Sequence, residues 1–143
     1  MTGGGPALEI DIPEVRAELL AAFAEYELAL VANDVAALDR LFLDAPTTVR
    51  YGTAENLYGY AAIKAFRAAR SPAGLARRLA RTVVTTYGRD AGTASTLFYR
   101  EGMPGKVGRQ TQVWLRTTGG WRVAAAHVSV VDDDPADLPE TPP

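Results

Sequence analysis

Side chains able to move a proton or hold an anion are unevenly supplied in this sequence. It has no cysteine and one histidine, His127. Disulfides, Cys-zinc sites, iron–sulfur clusters and thiol catalysis are excluded, and a Ser-His-Asp triad or a multi-His metal site is disfavoured. The glycines around Lys106 lack the Gly-Lys-Ser/Thr spacing of a phosphate loop, and no dinucleotide fingerprint occurs. The expected chemistry is that of Arg, Tyr, Glu and Asp, without metal or cofactor. Thirteen of the fifteen basic residues are arginine, whose planar fork suits carboxylate or phosphate.

Individual candidates follow from position. Tyr26 falls between Phe23 and Leu30 on an apolar stripe. It is either a core tyrosine bonded to a backbone carbonyl or a phenol facing a cavity, since a buried hydroxyl needs a partner. Arg50 lies between Val49 and Tyr51 in a short β-like run. It is either exposed or turned into a cavity, where a buried guanidinium needs an anion. Gln110 and Gln112 share one face of a later strand. His127 and Ser129 share parity with Trp121, Val123 and Ala125 on the last one. Lys64, Arg67 and Arg70 recur at helical spacing and read most simply as a solvated face.

The elements that must position these groups are legible from periodicity and punctuation. Asp11-Ile12-Pro13-Glu14 reads as a helix start, with Asp11 as cap and Pro13 in the first turn. Ile12, Val15, Leu19, Phe23, Tyr26 and Leu30 then form one stripe. Asn33-Asp34 ends that helix and caps a shorter one over 35–43, which Pro46 stops. Short extended pieces are expected at 47–51 and 55–58, and Gly59 opens a third helix over 60–70. Strands follow at 81–87, 93–100, 107–116 and 121–131, separated by Gly-containing hairpin turns. Helices followed by a meander predict an α+β domain with a cavity between the layers.

Length and charge bound the remaining possibilities. A chain of 143 residues, 48% hydrophobic and 22% charged, suits one globular domain. Residues 1–10 are Gly-rich and expected to be flexible, 11–131 to form the single domain, and 132–143 to be an acidic, Pro-rich disordered tail that is dispensable. No signal peptide or membrane span is visible, so a cytoplasmic location is expected. Residues 1–49 carry nine acids against two bases, and residues 50–122 carry thirteen bases against three acids. The near-neutral total, −2, argues against a nucleic-acid partner. A homodimer is expected through the outer face of the sheet, with Val128 and Val130 filling it.

The run Val49-Arg50-Tyr51-Gly52-Thr53-Ala54-Glu55-Asn56-Leu57-Tyr58-Gly59 resembles the signature of the AtzH-like, or oxalurate-catabolism HpxZ, family. Thr85-Thr86-Tyr87-Gly88, Gly108-Arg109-Gln110-Thr111-Gln112-Val113-Trp114 and the Gly120-Trp121-Arg122 ending resemble it too. The likeness covers residues 10–131. It implies a SnoaL-like, nuclear-transport-factor-like cone, usually dimeric, in which a curved antiparallel sheet is packed with helices. It also implies decarboxylation of 1,3-dicarboxyurea to allophanate, or a related oxalurate or purine-catabolism step, beside amidases that degrade ureido compounds. The family's catalytic tyrosine and arginine match Tyr26 and Arg50. Tyr58, Gln112, His127 and Ser129 are the candidates for substrate contact.

Two functions from different classes follow. One is a cofactor-independent enzyme acting on a short ureido carboxylate, with Arg50 as anion clamp and Tyr26 as hydrogen-bond or proton donor. The other is a non-catalytic ligand-binding or accessory partner of a neighbouring amidase.

Overall fold

The computed structural model describes residues 7–133. Three helices and six strands follow one another as α1 (Pro13–Val31), α2 (Val35–Leu41), β1 (Val49–Tyr51), β2 (Asn56–Tyr58), α3 (Tyr60–Ala69), β3 (Arg78–Tyr87), β4 (Ala91–Tyr99), β5 (Lys106–Thr117) and β6 (Gly120–Asp132). The strands form one sheet in the order β2-β1-β6-β5-β4-β3. The sheet is not wholly antiparallel, as expected for a meander, because β1 runs parallel to β6, pairing Arg50 with Ala126. That pairing carries the short β1–β2 ribbon to the open edge of the long strands.

Helix α1 buries Val15, Leu19, Phe23, Tyr26, Ala29 and Leu30 against the sheet, as its periodicity predicts. Its start differs from the expected cap. Ile12 is the N-cap and no side chain caps it. Asp11 instead adopts a left-handed φ of 57° and accepts from the Thr86 amide at 2.8 Å, fastening the helix entry to β3. The turn to α2 passes through Asn33 at φ 51°, a conformation asparagine tolerates. Asp34 then caps α2 by accepting from the Ala37 amide.

The pairing of β5 with β6 contains an irregularity that decides what faces inward. Trp114 pairs with Val123 and Val113 with Ala125, leaving Ala124 as an extra residue. Such a bulge shifts the alternation of side chains by one. Trp121 and Val123 face the core before it; Ala126 is buried after it, and Val128 and Val130 line the interior cavity. His127 is consequently on the outer side, exposed. Val128 and Val130 are therefore not the outer-face residues expected at a dimer contact.

Ordered pairing also extends past the expected domain limits. Ile10 bridges Tyr87 and the Gly88 amide donates to the Glu9 carbonyl at 2.7 Å. At the other end Asp132 completes β6 and pairs with Lys106, and the Asp133 amide donates to the Gly105 carbonyl. Residues 1–6 of the expected flexible segment and 134–143 of the expected tail lie outside the described residues. Among the described residues no helix is long and apolar enough to cross a membrane.

Candidate functional site

A cavity of about 520 Å³ opens between the helices and the β4–β5–β6 part of the sheet. Tyr26 reaches it from α1, Arg50 from β1, Phe66 from α3 and Arg70 from the end of that helix. Leu75 and Arg77 come from the link into β3, Phe98 and Arg100 from the end of β4, Gln110 from β5, and Val128 and Val130 from β6. The two residues singled out for chemistry, Tyr26 and Arg50, thus line one space.

Tyr26 is 6% exposed. Its ring stands edge-on to Trp114, with centroids 6.3 Å apart, and tilted against Phe42. No hydrogen bond joins its hydroxyl to another of the described residues. The backbone carbonyl partner of a structural core tyrosine is absent among them, and the hydroxyl-bearing side chain borders the cavity.

Arg50 is largely buried, with Nη1 3.3 Å from Glu55 Oε1 and the guanidinium 5.7 Å from the centre of the Phe66 ring. Gly52 explains how Glu55 gets there. A Cβ built on Gly52 would stand 1.7 Å from Glu55 Oε1, so the carboxylate folds over the bare glycine to reach Arg50. The Gly52 amide closes this loop by donating to the Glu55 carbonyl at 2.9 Å. The Arg-Tyr-Gly…Glu spacing is therefore a device that holds one arginine.

Around this pair the cavity wall is cationic. Arg50, Arg70, Arg77, Arg100 and Lys106 line it, against Glu55 as the sole acid among its lining residues. Arg77 is matched: its Nε donates to Glu27 Oε2 at 3.1 Å, its Nη2 contacts Glu27 Oε1, and Nη2 also reaches Gln110 Oε1. Arg70 and Arg100 have no ion-pair partner among the described residues. Nε and Nη2 of Arg70 and Nε of Arg100 are buried without an acceptor. Burial pushes both guanidiniums below the usual arginine range. For Arg70 the cations Arg50, Arg67 and Arg100 push the same way, against an opposing pull from Tyr26. For Arg100 the main neighbour is Arg77, opposed by Tyr26 and Glu27.

The other sequence candidates lie elsewhere. Tyr58 is exposed on the edge strand, its hydroxyl 3.2 Å from that of Tyr51. His127 packs edge-on against Tyr51 on the outer face, and Ser129 accepts from Arg109 Nε on that face at 3.1 Å. The β6 bulge put these last two on the far side. Gln112 faces inward but lies deeper than the cavity lining, accepting from Trp114 Nε1 at 3.0 Å; Gln110, one inward position along, borders the cavity instead.

Arg67 and Arg70 do not belong to a solvated face. Arg67 is buried, paired with Asp39 and stacked 4.6 Å from the Phe42 ring centre. Arg70, the C-cap just past α3, follows Ile63 and Arg67 of its inward face at a spacing already present in the sequence. Arg100 likewise continues the inward alternation of Ala94, Thr96 and Phe98.

A helix-packed, strongly bent sheet enclosing a polar cavity defines the NTF2-like class of cone, and similar solved structures bear this out. A protein with an NTF2-like, cystatin-like fold from Novosphingobium aromaticivorans is similar at 22% identity, with TM-score 0.65 over 86% of each chain. More similar are a protein of unknown function from the DUF3225 family of Pectobacterium atrosepticum (53% identity, TM-score 0.84, 86% of this chain and 95% of that one) and a cystatin-like fold protein from Burkholderia xenovorans (45% identity, TM-score 0.85, 90% and 100%). Within that class the chain belongs to the AtzH-like family, which it matches over residues 8–134. No curated protein matches it.

Proposed function

We propose that the protein is a cofactor-independent decarboxylase of a small N-carboxyurea, of the 1,3-dicarboxyurea-to-allophanate type. The observation that carries this reading is that Tyr26, with no hydrogen-bond partner for its hydroxyl among the described residues, lines the same cationic cavity as Arg50. An N-carboxylate loses carbon dioxide when its nitrogen gains a proton. The N–C bond breaks, its electron pair stays on nitrogen, and that nitrogen takes the proton. Arg50 would clamp a substrate carboxylate in place of Glu55. Tyr26 would supply the proton to the departing nitrogen and recover it from water. Apolar walls from Leu30, Phe66, Val128 and Val130 would limit water around the reacting group and strengthen each electrostatic contact.

On the same reading the enzyme works in the cytoplasm as a homodimer joined through the outer sheet face, where Val83 and Val113 are exposed. Light scattering that gives a monomer at micromolar protein would contradict the dimer. The activity is tested by adding purified protein to freshly generated 1,3-dicarboxyurea and following carbon dioxide and allophanate. Release no faster than in buffer would overturn the proposal and leave a binding protein, the partner of an amidase.

A further inference from the structure

Five buried or half-buried arginines of this region can be sorted by what neutralises them. Arg67 has Asp39, Arg77 has Glu27 and Arg50 has Glu55. The fourth case is a pair: Arg70 and Arg100 border the cavity, and neither forms an ion pair with a carboxylate of the described residues, Glu27 acting on Arg100 only at longer range. A guanidinium withdrawn from water without an anion is costly, and three of their nitrogens are buried with no acceptor. Lys106 is not in the same position, since Asp132 holds it.

The support under Arg100 leaves its donors available. Its guanidinium lies 5.0 Å from the centre of the Phe98 ring, beside Arg77 at 4.6 Å from the same ring. Stacking on a ring face uses the flat of the guanidinium and none of its N–H groups. Gly108 makes room for that ring, because a Cβ there would stand 2.0 Å from Phe98 Cζ.

We infer that Arg70 and Arg100 form a second carboxylate subsite, so that the cavity selects a short dianion with one carboxylate on Arg50 and the other on this pair. The inference rests on the proposed reading only for the choice of Arg50 as the first clamp. Arg70 and Arg100 are specificity residues here: they set which acids enter, and they take no part in moving the proton.

The test uses two unreactive probes of equal chain length, glutarate and pentanoate, which differ by one carboxylate. Calorimetric titration of the wild-type protein should show glutarate binding tighter by about ten-fold or more, the scale of one charge-assisted contact. Arg70→Gln and Arg100→Gln should each shrink that preference several-fold while leaving pentanoate binding within about two-fold. Arg109→Gln, on the outer face, should keep it. Equal binding of the two acids, no glutarate binding at millimolar concentration, or a full preference surviving in either folded variant would overturn the subsite. If one of the two Gln variants fails to fold, the other carries the test. A glutarate preference without turnover of dicarboxyurea would remove the decarboxylase reading alone; turnover without the preference would remove the subsite alone.

Discussion

The concave face of the sheet has two ends, and they treat side chains differently. Where α1 covers it, Trp114, Val123 and Leu19 are fully buried together, and the backbone is so close that a Cβ on Gly92 would stand 2.4 Å from Leu19 Cδ2. Where helical cover ends, the same strands present Phe98, Gln110, Val128 and Val130, and arginines close the space that no helix fills. The first end is a core and the second a charge-lined cavity, although both are built from the inward alternation of β4, β5 and β6. Tyr26 sits at the border, its ring against Trp114 and its side chain reaching the cavity. A site of this kind is the place where packing stops early and leaves charge without a partner.

Breaking the dry end should cost the most. Trp114→Ala should lower unfolding stability by about 3–5 kcal/mol in chemical denaturation, because the cavity left between Leu19, Tyr26 and Val123 cannot refill. At the open end Arg50→Lys should leave the melting temperature near that of the wild type while turnover falls about 100-fold, since the ammonium keeps the charge and loses the planar fork. Gly108→Ala tests the boundary between the two. Its new methyl displaces the Phe98 ring, which should cost about 1–3 kcal/mol and weaken anion binding, because Arg77 and Arg100 both rest on that ring.

The outer face sharpens the contrast from the other side. His127→Ala and Ser129→Ala should change stability by no more than about 0.5 kcal/mol and leave turnover unaltered. Their side chains meet Tyr51 and Arg109 on the far side of the sheet from the cavity. A large loss of turnover in either would place part of the site on that face.

What was legible in the sequence follows the regularity of each element. The α1 stripe from Ile12 to Leu30 is unbroken, so its period predicts Tyr26 inside. The three-residue β1 is too short for its alternation to decide Arg50 from the sequence; the packing of Tyr51 on His127 outside is what turns Arg50 inward. His127 and Ser129 fail because parity was carried across Ala124, and nothing in Val123-Ala124-Ala125-Ala126 announces a bulge. Arg70 and Arg100 were hidden for a different reason. Charge suggests water, yet their spacing from Ile63 and from Phe98 places them on inward faces, and spacing is the stronger of the two signals.

The most direct test of the central claim compares wild type with Tyr26→Phe on freshly generated 1,3-dicarboxyurea, measuring carbon dioxide release alongside the melting temperature of each protein. The phenol hydroxyl has no partner among the described residues, so its removal should leave the melting temperature unmoved. Turnover should fall about 100-fold or more if that hydroxyl delivers the proton. A Tyr26→Phe protein that releases carbon dioxide at the wild-type rate would contradict the account.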